Sequence, residues 1–394
     1  MRFATRVTAM YLDANATTPM AEEVLAAMLP WLREGFHNPS STHTGGKKAR
    51  AAIEEARAQV AELIGAREDE IVFTSGGTEG INAILQSWDR MDQAGHFLTT
   101  AVEHSAVLRT GSALSRPMAL CGVDALGALD FDQWREGLAG AAFASAMAVN
   151  NETGVIFDWQ RAADLAHEHG KAFFCDAVQG IGKVPFSVAD TAVDAMALSA
   201  HKFHGPKGIG ALYLRRGTSF SPLLRGGGQE RGMRSGTESV ANIVGMGAAA
   251  VFAKRQLEQE APRKIAEMRD VFEREVLARV TGVVINGDQD ARLPNTSHLS
   301  FADCEAAGLL ILLDEKGVAC SAGSACMAGK QQPSHVQKAM GFSDVRAKSS
   351  LRVSFCYHNT MEESLQAARH VITAVEKLRS VQGAGVGPVV IYTS

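Results

Sequence analysis

The chain reads as an α/β protein: a large domain on a mostly parallel β-sheet, followed by a smaller α+β domain. Three observations carry that reading. Through the first two-thirds of the 394 residues, short apolar runs alternate with amphipathic helical patterns, as repeated βαβ units require. The runs are apolar at nearly every position rather than at alternate ones, which fits parallel strands covered on both faces. After about Ser239 the texture changes to a long helical pattern of mixed charge, with short strands and helices behind it.

In chain order, the strand candidates of the large domain are Glu70–Thr74, His96–Thr100, Ala144–Val149, Ala172–Asp176, Ala195–Ser199 and Gly210–Leu214. At five or six residues each, these short apolar runs have the length of buried strands rather than of helices. Between them, Lys47–Ile64, Gly80–Met91, Ala106–Leu114 and Trp159–His169 carry helical spacing. Ser239–Val280 reads as one long helix with Lys254, Arg255, Glu258 and Glu260 on it. Short strands and helices are expected at Val283–Asn286, Ser297–Phe301, Ala306–Glu315, Leu351–Phe355 and Met361–Leu378. The domains are therefore expected at 11–258 and 259–385, with the N-terminal segment 1–20 a candidate contributor to the second. Glycine-rich loops at Arg225–Gly236 and Ala319–Gly329 fall at the margins, and the tail Gly383–Ser394 is expected to be poorly ordered.

Bulk properties narrow the function. A net charge of −4 gives no electrostatic reason to expect nucleic acid or an anionic membrane as partner. No apolar stretch approaches the ~20 residues of a membrane span. The segment Met1–Met10 has no apolar core of signal-peptide length, so a cytoplasmic protein is expected. The six cysteines, Cys121, Cys175, Cys304, Cys320, Cys326 and Cys356, then read as thiols rather than a disulfide framework. They form no CxxC pair, and no metal site is expected.

The segment Ser199-Ala200-His201-Lys202-Phe203-His204-Gly205-Pro206 says most about chemistry. It places an amine at a strand end beside a serine, histidines and a glycine turn. A lysine so held can form a Schiff base with an aldehyde cofactor. Read alone, Lys202 is an ordinary surface or phosphate-binding lysine, but other strand ends supply what such a cofactor needs. Asp176 closes an apolar strand, where a carboxylate can pair with a protonated pyridine nitrogen, and Gln179 follows within reach of a ring hydroxyl. Thr74-Ser75-Gly76-Gly77-Thr78-Glu79 joins a strand to a helix, and the helix start offers free N–H groups to a phosphate. His104 sits at another strand end, where an imidazole can stack on a flat ring and exchange protons. Asn150 and Asn151 add amides at a fourth. Each feature alone is an ordinary turn or cap. Together they aim a phosphate cradle, a ring neighbour, amides and a carboxylate at one lysine, which a pyridoxal 5′-phosphate enzyme of the aspartate-aminotransferase-like fold explains.

Two further features bear on the reaction. Cys320-Ser321-Ala322-Gly323-Ser324-Ala325-Cys326 is rich in small residues. Cys320, beside Val318 and Ala319, reads as a packed apolar residue. Cys326, inside the glycine-bounded loop, reads as an accessible nucleophile. Arg352 begins a strand and can hold a carboxylate bidentately or make a structural ion pair.

These residues resemble the class V pyridoxal-phosphate cysteine desulfurases of the NifS/IscS type. The match runs from Tyr11-Leu12-Asp13-Ala14-Asn15-Ala16-Thr17-Thr18-Pro19 to about Met361-Glu362-Glu363. It includes His37-Asn38-Pro39-Ser40-Ser41, Val102-Glu103-His104, Gly226–Thr237, Cys320–Cys326 and Pro333-Ser334-His335-Val336. The resemblance implies fold type I of the pyridoxal-phosphate-dependent transferases and a homodimer with both sites at the interface. It implies that Gly77, Thr78, Ser199 and His201 hold the phosphate, with Thr237 from the other subunit. Asp176 would face the ring nitrogen, His104 the ring face, and Asn151 and Gln179 the ring and substrate. Asn15, Asn38, Asn151 and Arg352 would bind the substrate, L-cysteine. Lys202, His104 and Cys326 would be catalytic, with His104 taking the substrate thiol proton and Cys326 receiving sulfur as a persulfide. The expected product is L-alanine, and the expected partner a sulfur-acceptor or iron–sulfur scaffold protein. Two rival readings remain: another class V enzyme (an aminotransferase or selenocysteine lyase), and a sulfur-relay or scaffold subunit without turnover.

Overall fold

The computed structural model describes residues 10–91, 94–322 and 333–383. Its first part runs β1 (Met10–Tyr11), α1 (Glu22–Arg33), α2 (Thr44–Leu63), β2 (Ile71–Thr74), α3 (Gly77–Asp89), β3 (His96–Thr100), α4 (Ser105–Gly111) and β4 (Met118–Cys121). It continues with α5 (Phe131–Ala139), β5 (Ala141–Met147), α6 (Trp159–Glu168), β6 (Ala172–Asp176), β7 (Ala195–Ser199) and β8 (Gly210–Leu214). The second part holds α7 (Val240–Glu258), α8 (Ala261–Arg279), β9 (Val283–Ile285), β10 (Thr296–Phe301), α9 (Ala306–Asp314) and β11 (Val318–Ala319). After these come α10 (His335–Ala339), α11 (Asp344–Lys348), β12 (Ser350–Ser354) and α12 (Met361–Gly383).

Seven strands form the main sheet among the described residues, in the order β2-β8-β7-β6-β5-β3-β4. Every neighbour pair is parallel except those made by β8, which runs antiparallel to both β2 and β7. The C-terminal ends of β2, β3, β5, β6 and β7 therefore lie along one edge of the sheet. The period of two in a strand sends alternate residues to opposite faces. Phe73, Phe173 and Leu198 pack on one face with Ile53 and Val60 of α2 and Met246 of α7. Their chain neighbours Val72, Phe174 and Ala197 pack on the other with Ile81, Ile84 and Trp88 of α3. Both faces are covered, as runs of uninterrupted apolar residues require.

The second core gathers Phe272, Leu309, Leu351, Val371 and Val375 around an antiparallel sheet ordered β12-β10-β9. Met10 and Leu12 belong to this core, and β1 pairs in parallel with β11. Residues 10–12 are thus packed on the C-terminal part before the chain reaches Asn15 at the sheet edge.

Several sequence expectations need correction. The helix read across Ser239–Val280 is two helices, with Glu260 in the left-handed region (φ 56°) between them. Pro262 enforces the break: it has no N–H to donate, and its ring would strike the carbonyl four residues back. The strand placed at Ala144–Val149 begins earlier, at Ala141, and ends at Met147. Its alanine-rich start carries little β-propensity and is a strand because it lies buried beside β3 and β6. The spacing arguments did not find α1, β4 or α5.

One buried ion pair fastens the loop ahead of α7 to the sheet. Arg57 of α2 donates from Nη1 and Nη2 to the two carboxylate oxygens of Glu230, each at 2.8 Å. Glu230 also accepts the backbone N–H of Phe73 in β2, and Arg57 donates to the carbonyl of Ile71. Arg57 is 2% exposed and Glu230 3%. Among the described residues, no helix is long and apolar enough to cross a membrane.

Candidate active site

The sheet edge made by the five parallel strand ends opens into one cleft. Its walls include Asn15, Gly77, Thr78, His104, Asn151, Asp176, Gln179, Ser199, His201, Lys202 and Arg352. Eleven of the residues singled out from sequence thus meet in one place. Their chain positions explain it. Asp176 and Ser199 are the last residues of β6 and β7, and Gly77 begins α3 three residues after β2 ends.

Lys202 ends a short turn of 3₁₀ helix that follows β7. Its Nζ donates to the carbonyls of Asn15 at 2.6 Å and Ala16 at 2.9 Å. Asp176, 5% exposed, accepts the backbone N–H of Val178 on Oδ1. Burial raises the pKa of its carboxyl, while His104 and Lys202 pull it back toward the ionised form. A pyridinium cation beside it would add to that pull. Beneath lies Glu103, whose pKa is pushed up to about 8 by burial and by Asp176, and which accepts from Thr100 Oγ1 and the Met147 N–H.

His104 caps α4: its Nδ1 accepts the Ala106 N–H at 3.1 Å. In the neutral ring the proton then sits on Nε2. Burial lowers its pKa, Asp176 opposes that, and Lys202 and His335 reinforce it. In this geometry His104 is a hydrogen-bond donor. Taking a thiol proton, the role expected from the resemblance, requires the cap to break or a tautomer shift.

The phosphate end is built from α3. Its first N–H groups have no intrahelical partner. Gly77 is required there: a Cβ would come within 2.7 Å of Val178 Cγ2. Gly210 of β8 is required for a similar reason, since a Cβ would lie 2.7 Å from Gly76 Cα. Ser199 and His201 line the same end, and His201 Nδ1 lies 3.1 Å from Thr17 Oγ1. Burial and the nearby Lys202 bring the His201 pKa down to about 4, so it is a neutral imidazole at neutral pH. A helix start, two hydroxyl residues and a neutral histidine, in one cleft with a buried carboxylate and a lysine, fit pyridoxal phosphate in size, charge and reactivity.

The substrate side differs in detail from expectation. Asn15 is 1% exposed and its amide is committed: Nδ2 donates to Thr296 Oγ1 at 2.9 Å and Asn151 O at 3.4 Å. Its Oδ1 accepts from Asn295 Nδ2 and Lys183 Nζ. No N–H of that side chain remains for a carboxylate, so Asn15 works here as a brace. Arg352 donates to Asp13 Oδ1 at 2.7 Å and Asn151 O at 2.8 Å, and it lines the cleft. Asn38 and Thr237 are exposed and do not line the cleft on this chain. Cys326 lies outside the described residues. Cys320 lies within them, and burial pushes its thiol up to about 12.

Sequence reasoning gave no site role to Glu152, Lys183 or Arg109, and quoted His335 only as part of the resemblance. Glu152 accepts the Ser334 hydroxyl at 2.5 Å, and His335 Nε2 meets Glu103 O at 2.9 Å. Nothing local in the sequence marks Glu152 as lining the cleft, or Lys183, four residues beyond Gln179, as standing behind its wall.

The model of the family Aminotransferase class-V matches residues 10–366. A cysteine desulfurase of Gluconacetobacter diazotrophicus is 44% identical over 359 residues, covering 89% of this chain and 90% of that protein. The cysteine desulfurase NifS of Azotobacter vinelandii is 42% identical, covering 96% of each chain. Among solved structures, a NifS-like protein superposes with a TM-score of 0.87 at 35% identity, covering 94% of this chain and 99% of the other. A structure described as SspA in complex with cysteine gives 0.77 at 33% identity, over 89% of this chain and 99% of that one. This chain belongs to the class-V aminotransferase family, among its cysteine desulfurases.

Proposed function

We infer that this chain is a cysteine desulfurase whose cofactor site is the cleft at Lys202 and whose sulfur-accepting thiol is Cys326. One observation carries the inference: Lys202 and the buried Asp176 share a cleft with the N-terminus of α3, in a chain 44% identical to a cysteine desulfurase. Gly77, Thr78, Ser199 and His201 would hold the phosphate of pyridoxal phosphate, Asp176 its ring nitrogen, and Gln179 and His104 the ring. Bound there, the cofactor supplies an aldehyde for the substrate amine and a ring that takes up electrons from the substrate α-carbon.

The chain's own groups do the rest. Lys202 Nζ, docked on the carbonyls of Asn15 and Ala16, is the base that takes the α-proton and returns it. Arg352 and Asn151 orient the substrate carboxylate. Cys326 attacks the substrate sulfur: an S–S bond forms, the C–S bond breaks, and the three-carbon fragment leaves as alanine after protonation. The sum, L-cysteine plus the enzyme thiol giving L-alanine plus the enzyme persulfide, balances without an oxidant. In the homodimer that the family resemblance implies, Thr237, exposed here and outside this chain's cleft, would complete the partner's site. The sulfur would pass to an acceptor or iron–sulfur scaffold protein in the cytoplasm. The division of the chain at 258/259 follows the start of the second core.

The test is sulfur tracing. Protein loaded with pyridoxal phosphate and given L-cysteine should release alanine and carry one alkylatable persulfide, mapped to Cys326. Cys326→Ser should keep the cofactor's visible absorbance and lose the persulfide. Persulfide on another cysteine, or faster turnover with selenocysteine or an alanine–keto acid pair, would overturn the reading.

A further inference from the structure

Behind the cleft wall stands a lysine that the chemistry above does not use. Lys183 follows β6 by seven residues, in the turn after Gln179. It is half-buried over the whole residue, with its amine end enclosed. The amine donates to two side-chain oxygens, Gln179 Oε1 at 2.6 Å and Asn15 Oδ1 at 2.9 Å. Gln179 turns the other end of its amide toward the site: its Nε2 donates to the Asn15 carbonyl at 2.8 Å. That carbonyl is also the dock of Lys202 Nζ.

We propose that Lys183 is a positioning residue that sets the sense of the Gln179 amide and braces the Asn15–Ala16 backbone on which the catalytic amine rests. A carboxamide can turn by 180° at little steric cost, and its two ends are told apart only by hydrogen bonds. With Lys183 donating to Oε1, Nε2 must face Asn15 and the cleft. One Nε2 hydrogen goes to the Asn15 carbonyl, and the other is left for an acceptor on the cofactor ring. Without the lysine, Oε1 loses its donor, and the sense and position of the amide are held from the Asn15 carbonyl alone. Two acceptors face the amine, and burial lowers its pKa from the ordinary lysine value, with Lys202 and Arg352 acting in the same direction against a smaller pull from Cys356.

The proposal rests on the cleft being a pyridoxal-phosphate site, and the experiment separates the two. Apoprotein of wild type, Lys183→Met, Lys183→Ala, Gln179→Met and the double variant Lys183→Met/Gln179→Met is titrated with pyridoxal phosphate, and urea midpoints are recorded alongside. Lys183→Met should bind the cofactor roughly ten- to hundredfold more weakly, the worth of one hydrogen bond to a charged or strongly polar acceptor. Lys183→Ala should weaken it equally, because both lack the donor while only alanine leaves a void. In the Gln179→Met background, Lys183→Met should add less than about threefold, since the group it orients is gone. Wild-type affinity in Lys183→Met overturns the proposal. So does an undiminished effect in the Gln179→Met background, or a loss that tracks the urea midpoint from Met to Ala. Wild-type apoprotein that takes up no pyridoxal phosphate overturns the parent reading instead.

Discussion

Replacing Arg57 with methionine keeps most of its volume and removes its charge, and the structure says what that leaves behind. Glu230, 3% exposed, loses the two 2.8 Å hydrogen bonds from Nη1 and Nη2 and keeps the Phe73 N–H. A buried carboxylate stripped of its cation costs about 3–5 kcal/mol. The carbonyl of Ile71 keeps a donor in Arg231 Nη2 at 2.6 Å, so little is added there. Glu230→Gln in the same chain removes the stranded charge and retains an oxygen for the Phe73 N–H. The double variant should therefore cost only about 1 kcal/mol relative to wild type, about 2–4 kcal/mol less than Arg57→Met alone, and any cost of Glu230→Gln by itself adds to the coupling. Equilibrium urea unfolding of the four proteins, read as the change in midpoint at constant slope, gives these values directly. Arg57→Met costing less than about 1 kcal/mol would refute the reasoning, because that is the range of a solvated surface pair. A double variant as unstable as the single one would refute it equally.

Asp176→Asn keeps the shape of the strand end and removes its charge; turnover of the loaded enzyme should fall about 10–100-fold with a smaller change in KM for cysteine, and unchanged turnover would remove Asp176 from the ring. The Lys183 amine is depressed in the folded chain from an ordinary value of 10.5, so unfolding takes up a proton. The stability of wild type relative to Lys183→Met should then rise with pH from the folded value up to the unfolded one, by up to about 1.4 kcal/mol per pH unit; a flat difference between pH 7 and 10 in urea titrations would contradict the enclosed amine. Cys320, whose thiol burial pushes up to about 12, holds little thiolate at neutral pH. Cys320→Ser should leave sulfur transfer within about twofold of wild type, and a larger loss in the persulfide assay would move the acceptor role toward it.

The sheet and the site edge were legible because they depend on local pattern. Apolar runs such as Phe173-Phe174-Cys175 name strands, and polar residues at the C-terminal ends of parallel strands name a ligand edge. Lys202, Asp176, His104 and Gly77 could be placed together without knowing a single long-range contact. The residues that were missed, and the bonding of those that were named, depend on such contacts. The partners of Arg57 and Asn15 lie 173 and 281 positions away. Asn15 is in the motif where the family places a substrate ligand, but only the packed structure shows both its amide hydrogens already used. Lys183 looks like any lysine in a glycine-bounded turn until its two acceptors are seen. The division of Ser239–Val280 into two helices was available in the sequence, since Pro262 stands in the middle of the pattern.

The account depends most on which amine carries the cofactor. Pyridoxal phosphate is added to the protein, the linkage is reduced with borohydride, and the modified peptide is identified by mass. All of the label should be on Lys202, and the Lys202→Ala protein should take up none and release no alanine from L-cysteine. Label on Lys183, on Lys207 or spread over surface lysines, with Lys202 unmodified, would contradict it.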